Sequence, residues 1–177
     1  MWGKWPCERP AWPVAPRPFA VEPIGGWLGR VAARYRMSVD ELALLYDIEL
    51  AFNRPGNTWL LVGRIGGPTI DRLSRLARVD PTSLDAMQGL PAGPGPSTQL
   101  AYCPSCLFLN PLDVTSPCWK HEWLAPSASG CVVHAQPLTR LSITALRTCD
   151  NFDKLLRLIS RQERRRRAQT SLMNHQR

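Results

Sequence analysis

The chain has 177 residues, 44% hydrophobic and 20% charged, enough for one ordinary domain or two small ones and too few for a large multidomain enzyme. No apolar run approaches the roughly 20 residues of a membrane-spanning helix, and Pro6, Pro10, Pro13, Pro16 and Pro18 exclude the continuous apolar segment of a secretory signal, so a cytoplasmic protein is predicted. The formal charge of +8 is unevenly spread: from Lys154 onward there are eight basic residues and one acid, against 14 basic and 13 acidic in the preceding 153, which makes the body nearly neutral and the tail a polycation suited to phosphate backbones.

Residues 1–20 combine five prolines with Trp2, Trp5 and Trp12, a composition that predicts an extended, flexible arm. Three exposed tryptophans are unfavourable in water, which leaves open docking of the arm on this chain or on a partner. Trp27, Leu28, Val31, Ala32 and Tyr35 then recur at helical spacing, with Arg30 and Arg34 on another face. Ser38 and Glu41 form a capping box for a second helix whose apolar face is Leu42, Leu45 and Tyr46. So short a connection predicts a helical hairpin or helix-turn-helix element.

After a turn signal at 54–57 and a Gly-rich break, Thr69 is placed to cap a helix carrying Ile70, Leu73, Leu76 and Ala77, with Arg72, Arg75 and Arg78 opposite. Asp80-Pro81 announces a further helix with Leu84, Met87 and Leu90 inward. As a recognition helix it would present Thr82, Ser83, Asp85 and Gln88 and no Lys or Arg, which argues against a DNA reader. The stretch Pro91-Ala-Gly-Pro-Gly-Pro96 reads as a linker to a cysteine-containing half. From Leu141 helical spacing returns, with Phe152, Leu155, Leu156 and Ile159 on one side; disorder is expected beyond about Arg164.

Cys103-x-x-Cys106 and Cys131-x-x-His134, with 24 residues between, are two knuckles of metal-ligand spacing. In a reducing compartment six cysteines are not expected to form structural disulfides. Three thiolates and an imidazole suit zinc, and a filled tetrahedron leaves no position for water, so the expected role of the ion is structural. A redox dithiol would call for a βαβ context that this half lacks. A third pair, Cys118-x-x-His121, lies between the two knuckles and keeps alternatives open: it could replace Cys131 and His134, bind metal with Cys7 or Cys149, or be a buried cysteine beside a surface histidine.

No nucleophile elbow, P-loop or His-Glu-x-x-His occurs, and the acids are scattered, so a non-enzyme is predicted. The fold class expected is mainly α, laid out as an arm (1–20), a helix-turn-helix-like helical domain (21–90), a linker (91–98), a zinc-knuckle domain (99–140), a C-terminal helix (141–163) and a disordered basic tail (164–177).

From about Pro18 to His134 the chain resembles TniQ, the target-selection adaptor of transposons related to those guided by CRISPR effectors. The resemblance is carried by Glu22 with Gly26-Trp27-Leu28-Gly29-Arg30-Val31-Ala32, by Thr69–Ala77 with Asp80–Leu84, and by three stretches, Tyr102–Leu107, Cys118–Trp123 and Cys131–Leu138. It departs at Gly26, where the family usually has serine, at Cys118 and His121, where an aromatic and a basic residue are commoner, and at Val132-Val133, where Pro and Lys are more typical. Its length is that of compact members without a long C-terminal extension, for which autonomous recognition of a fixed DNA sequence is not expected. The resemblance implies an adaptor that bridges a target-bound, RNA-guided CRISPR effector complex to an AAA+ regulator ATPase that recruits the transposase. It places the ATPase contact at Trp27 and Arg30. The basic residues Arg161, Arg164, Arg165, Arg166 and Arg167 would then add contact with target DNA or guide RNA. The competing reading is a sequence-specific DNA-binding regulator with a structural zinc site.

Overall fold

Three glycines in its first six residues make Ile24–Arg34 (α1) a poor helix by propensity alone, and its formation rests on tertiary packing. A Cβ at Gly25 would lie 2.1 Å from the Trp59 carbonyl oxygen, and one at Gly29 would lie 2.3 Å from the Trp59 ring. The glycines therefore cut the notch into which the 3-10 turn Trp59–Leu61 fits. The computed structural model describes residues 10–50, 58–88, 98–108 and 117–175, and about half of the chain is helical with a few short strands.

Val39–Tyr46 (α2) starts at the expected capping box: Ser38 Oγ accepts from the Glu41 amide at 3.0 Å, and the Glu41 carboxylate accepts from the Ser38 amide at 2.7 Å. Gly67–Ala77 (α3) begins two residues before the expected Thr69 cap, because Gly66 takes the extended N-cap conformation and Pro68 fits the first turn; Thr69 is buried instead. Pro81–Ala86 (α4) is capped by Asp80, whose carboxylate accepts from the Thr82 amide at 2.7 Å. Gln88, expected on the outer face, is buried: its Oε1 accepts from the Ile65 amide at 2.5 Å and its amide donates to Asp85 at 2.7 Å. Leu90 lies outside the described residues, as does the linker apart from Thr98.

In the second half, Gln99–Tyr102 (β1) leads into Pro104–Phe108 (α5), and Gly130–Cys131 (β2) pairs antiparallel with Gln136–Pro137 (β3). Thr139–Ser142 (β4) pairs antiparallel with β1, Leu100 opposite Leu141. Leu141 is thus on a strand and not at a helix start; its alternation with Arg140 and Ser142 is the period-2 signal that the helical reading passed over. Ile143–Leu146 (α6) and Phe152–His175 (α7) follow.

Two expectations about the ends are corrected. The arm is anchored at Trp12, which is 2% exposed, its amide donating to the Leu76 carbonyl at 2.7 Å and its ring meeting Tyr46 edge-on at 5.5 Å. Burying the indole outweighs the loss of a prolyl segment's freedom. The tail expected to be disordered continues α7 to His175, since 152–175 holds no Gly or Pro and is rich in Arg and Leu. Tyr102 Oη anchors its middle by donating to Glu163 at 2.8 Å.

Among the described residues, an apolar core runs from Trp12 to Ile159 and includes residues on both sides of the linker composition. Trp59 Nε1 donates to the Cys149 carbonyl at 2.7 Å, the Val39 amide to the Asp150 carbonyl at 2.9 Å, and the His121 amide to the Val21 carbonyl at 2.8 Å. Of Phe152, Leu155, Leu156 and Ile159, predicted as one face of α7, the first two and Ile159 are buried and Leu156 is half-buried against them.

Candidate metal centre

Cys103 leaves the end of β1 and Cys106 stands one turn into α5, so a strand-to-helix corner presents both thiols. Cys131 ends β2, and His134 lies in the turn to β3. That turn closes through Ala135, a non-glycine residue at φ 47° in the left-handed region. The sequence predicted these four residues as ligands, and the structure brings them together: one donor atom from each lies within 4.8 Å of all the others.

The donor set can be tested against a tetrahedral ion. With sulfur at about 2.3 Å and imidazole nitrogen at about 2.0–2.1 Å from zinc, tetrahedral angles require roughly 3.8 Å between two sulfurs and roughly 3.6 Å between sulfur and nitrogen. His134 Nδ1 lies 3.6 Å from Cys103 Sγ, 3.2 Å from Cys106 Sγ and 3.7 Å from Cys131 Sγ, and the Cys106 and Cys131 sulfurs are 3.6 Å apart. The residues fit a metal ion, with no coordination position left over for chemistry.

Burial pushes the Cys106 thiol well above its usual range, with Cys131 and Cys103 adding to the rise. Burial also acts to raise Cys131, but hydrogen bonds from the His134 ring and backbone and from the neighbouring thiols draw it down to about 7. A cation would complete what these groups do only partly, holding all the sulfurs as thiolates. Around them the Cys106 backbone amide donates to Cys103 Sγ at 3.4 Å, and Gln136 Nε2 donates to the same sulfur and to Ser105 Oγ, each at 3.0 Å. Gln136 escaped the sequence reading, since spacing marks ligands and not their supports; its place opposite Cys131 in the β2–β3 register is what delivers it.

The third pair does not join this group. His121 Nε2 donates to the Met87 carbonyl at 3.0 Å, and burial holds the imidazole below its usual pKa, so the ring stitches the segment 117–124 to the helical half as a neutral group. Cys149 is buried beside the Ala145 carbonyl, apart from the centre; Cys7 lies outside the described residues.

A family model for TniQ matches residues 13–138, which is most of the chain and contains both knuckles. The chain belongs to the TniQ family. No curated protein and no solved structure matches it. Family membership associates this TniQ chain with transposition.

The TniQ residues expected at an ATPase contact are not surface groups here. Trp27 is fully buried, its indole donating to the Pro16 carbonyl at 2.8 Å. Arg30 is 5% exposed and closes a fork on Glu22, which is 0% exposed: Nε to Oε2 at 3.0 Å and Nη2 to Oε1 at 2.5 Å, with Nη2 also reaching the Arg17 carbonyl at 2.7 Å. The Phe19 ring stacks on the guanidinium, 4.5 Å from its centroid. The expected outer placement of Arg30 fails because the packed arm covers that face. Of the tail arginines, Arg161, Arg164, Arg165, Arg166 and Arg167 are all exposed on α7; Arg166 leans on Glu163 and on the Arg140 carbonyl. Among the described residues, no helix is long and apolar enough to cross a membrane.

Proposed function

We propose that this TniQ chain is a non-catalytic cytoplasmic adaptor of transposition target selection, bridging a target-bound, RNA-guided CRISPR effector complex to an AAA+ regulator ATPase that recruits the transposase. The observation that carries the reading is the family match over residues 13–138. The closed four-donor centre supports it, since a filled shell serves a scaffold and offers no site for metal-assisted turnover. Cys103, Cys106, Cys131 and His134 hold zinc, which supplies folding free energy on the order of 10 kcal/mol and no reaction step. The exposed arginines of α7, Arg161 and Arg164–Arg167, contact target DNA or guide RNA. The ATPase contact falls on exposed surface and not on the buried Trp27 and Arg30.

The test is retention of the protein on the AAA+ ATPase with ATP and duplex DNA present, with zinc content measured in parallel on native protein and Cys103→Ser. Retention with about one zinc per chain, and loss of both in the variant, is the expected result. Zinc without retention sinks the bridge. In that case, strong selection of one DNA sequence among competitors at moderate salt would establish the regulator reading.

A further inference from the structure

Two clefts lie end to end along α7. The first, of about 790 Å³, opens between the C-terminal end of α1 and the start of α7 and is lined by Arg34, Arg36, Lys154 and Arg157, with Asp153 as the one acid among the described residues that line it. The second, of about 330 Å³, shares Leu156 and Arg157 with the first and continues past Ser160, Arg161 and Arg164 to Phe108. Lys154, Arg157, Arg161 and Arg164 stand at i, i+3, i+7 and i+10, within about a quarter-turn of one another and along about 15 Å of helix. Lys154 is already engaged with Asp150 at 2.5 Å. Arg34, Arg36, Arg157 and Arg161 make no ion pair among the described residues.

We infer that these joined clefts are a binding track for single-stranded nucleic acid, with Arg34, Arg36, Arg157 and Arg161 on its phosphates and Phe108 beneath an unpaired base. The reading deepens the nucleic-acid contact proposed above, and rests on it for the class of partner. It moves the contact from the arginine run to a groove that the N-terminal half helps to build. Arginine outnumbers lysine in the lining, and the guanidinium fork matches phosphate oxygens better than an ammonium does. Phe108 is 41% exposed at the far end, and an aromatic face is of use to a strand with unstacked bases and of none to an intact duplex. Ribose and deoxyribose strands share this chemistry, and the choice between them is read from the probe.

The experiment measures binding of about 15-nucleotide single-stranded RNA, single-stranded DNA and duplex DNA to the full chain across a salt series. The native protein is expected to prefer a single strand, whether RNA or DNA, to the duplex. In R34Q/R36Q/R157Q, affinity is expected to fall by roughly tenfold or more, and the slope of log K on log salt to flatten by about 2, with an unchanged melting temperature. Asp153→Asn is expected to tighten binding severalfold, a gain that no folding defect imitates. The proposal is overturned if the groove variant binds as native while R165Q/R166Q/R167Q loses binding, since the contact then lies in the arginine run alone. Preference for the duplex, or groove-dependent capture of polyglutamate with no binding of any nucleic acid, overturns it too. Retention on the ATPase is a separate readout, so the groove and the bridge can fail independently.

Discussion

The metal centre and the Glu22–Arg30 clip are both buried polar clusters, yet they are built on opposite principles. The centre takes its donors from two tight corners separated by 24 residues, each corner a local motif that aims a pair of ligands. The clip joins one helical arginine to a glutamate just before the helix, and fastens the arginine with the carbonyl of Arg17 and the ring of Phe19 and the glutamate with the Phe19 amide. The ion proposed for the centre would be a partner from outside the chain, and its removal would leave four donors that remain the chain's own. Removing Arg30 leaves behind a buried carboxylate that the chain itself must accommodate. Burial already pushes the Glu22 carboxyl above its ordinary range, with the Arg30 guanidinium and the Phe19 amide pulling the other way.

The largest expected effect is at the metal. Chelation, or His134→Ala, is expected to release zinc and open the β2–β3 hairpin while α1 keeps its structure. Hydrogen exchange checks this: the amides of 130–136 should exchange at near-unfolded rates and those of Trp27–Ala32 should stay protected. Equal loss of protection in both regions would show that the continuous core transmits the damage, and the contrast between the two clusters would collapse.

Next in size is the clip. Arg30→Met is expected to cost about 3–5 kcal/mol, because it strands the Glu22 carboxylate without a counter-charge. Adding Glu22→Gln to that variant should restore a good part of the loss, since the amide can still accept from the Phe19 amide, which now donates at 3.0 Å. Denaturant melts of the two single variants and the double variant decide the matter. A double variant no more stable than Arg30→Met would mean that Arg30 acts through its packing on Phe19 and not through its charge.

How legible each cluster was in the sequence follows from the same difference. Cys103, Cys106, Cys131 and His134 could be read because a small tetrahedral ion forces ligands into pairs two residues apart. The capping box at Ser38 and the Asp80-Pro81 start were equally local and were found where expected. Arg30 was misread because helical spacing assigns faces and not their coverings; what covers its face is a prolyl segment whose composition reads as unpacked. The same limit hid the packing of Trp12 and the clearance that Gly25 and Gly29 give to Trp59. Leu141 was lost to a four-residue strand, too short for its alternation to compete with the helical pattern beside it. The arginine run of α7 carries two opposed signals, a charge density that favours disorder and the absence of any helix breaker, and the second prevails.

The smallest effect tests how tightly the metal corner itself is drawn. Ala135 sits at φ 47°, where a Cβ crowds the backbone and costs about 1 kcal/mol, in the same β2–β3 turn that carries His134. Ala135→Gly relieves the crowding and concedes some entropy in the unfolded chain, so a net stabilisation of roughly 0.5 kcal/mol is expected. The gain should show in the melting temperature of the zinc-loaded protein and disappear after chelation, when the hairpin no longer has to hold the turn. A gain that persists without zinc would place the strain in the β2–β3 pairing and not in the geometry that the ion demands.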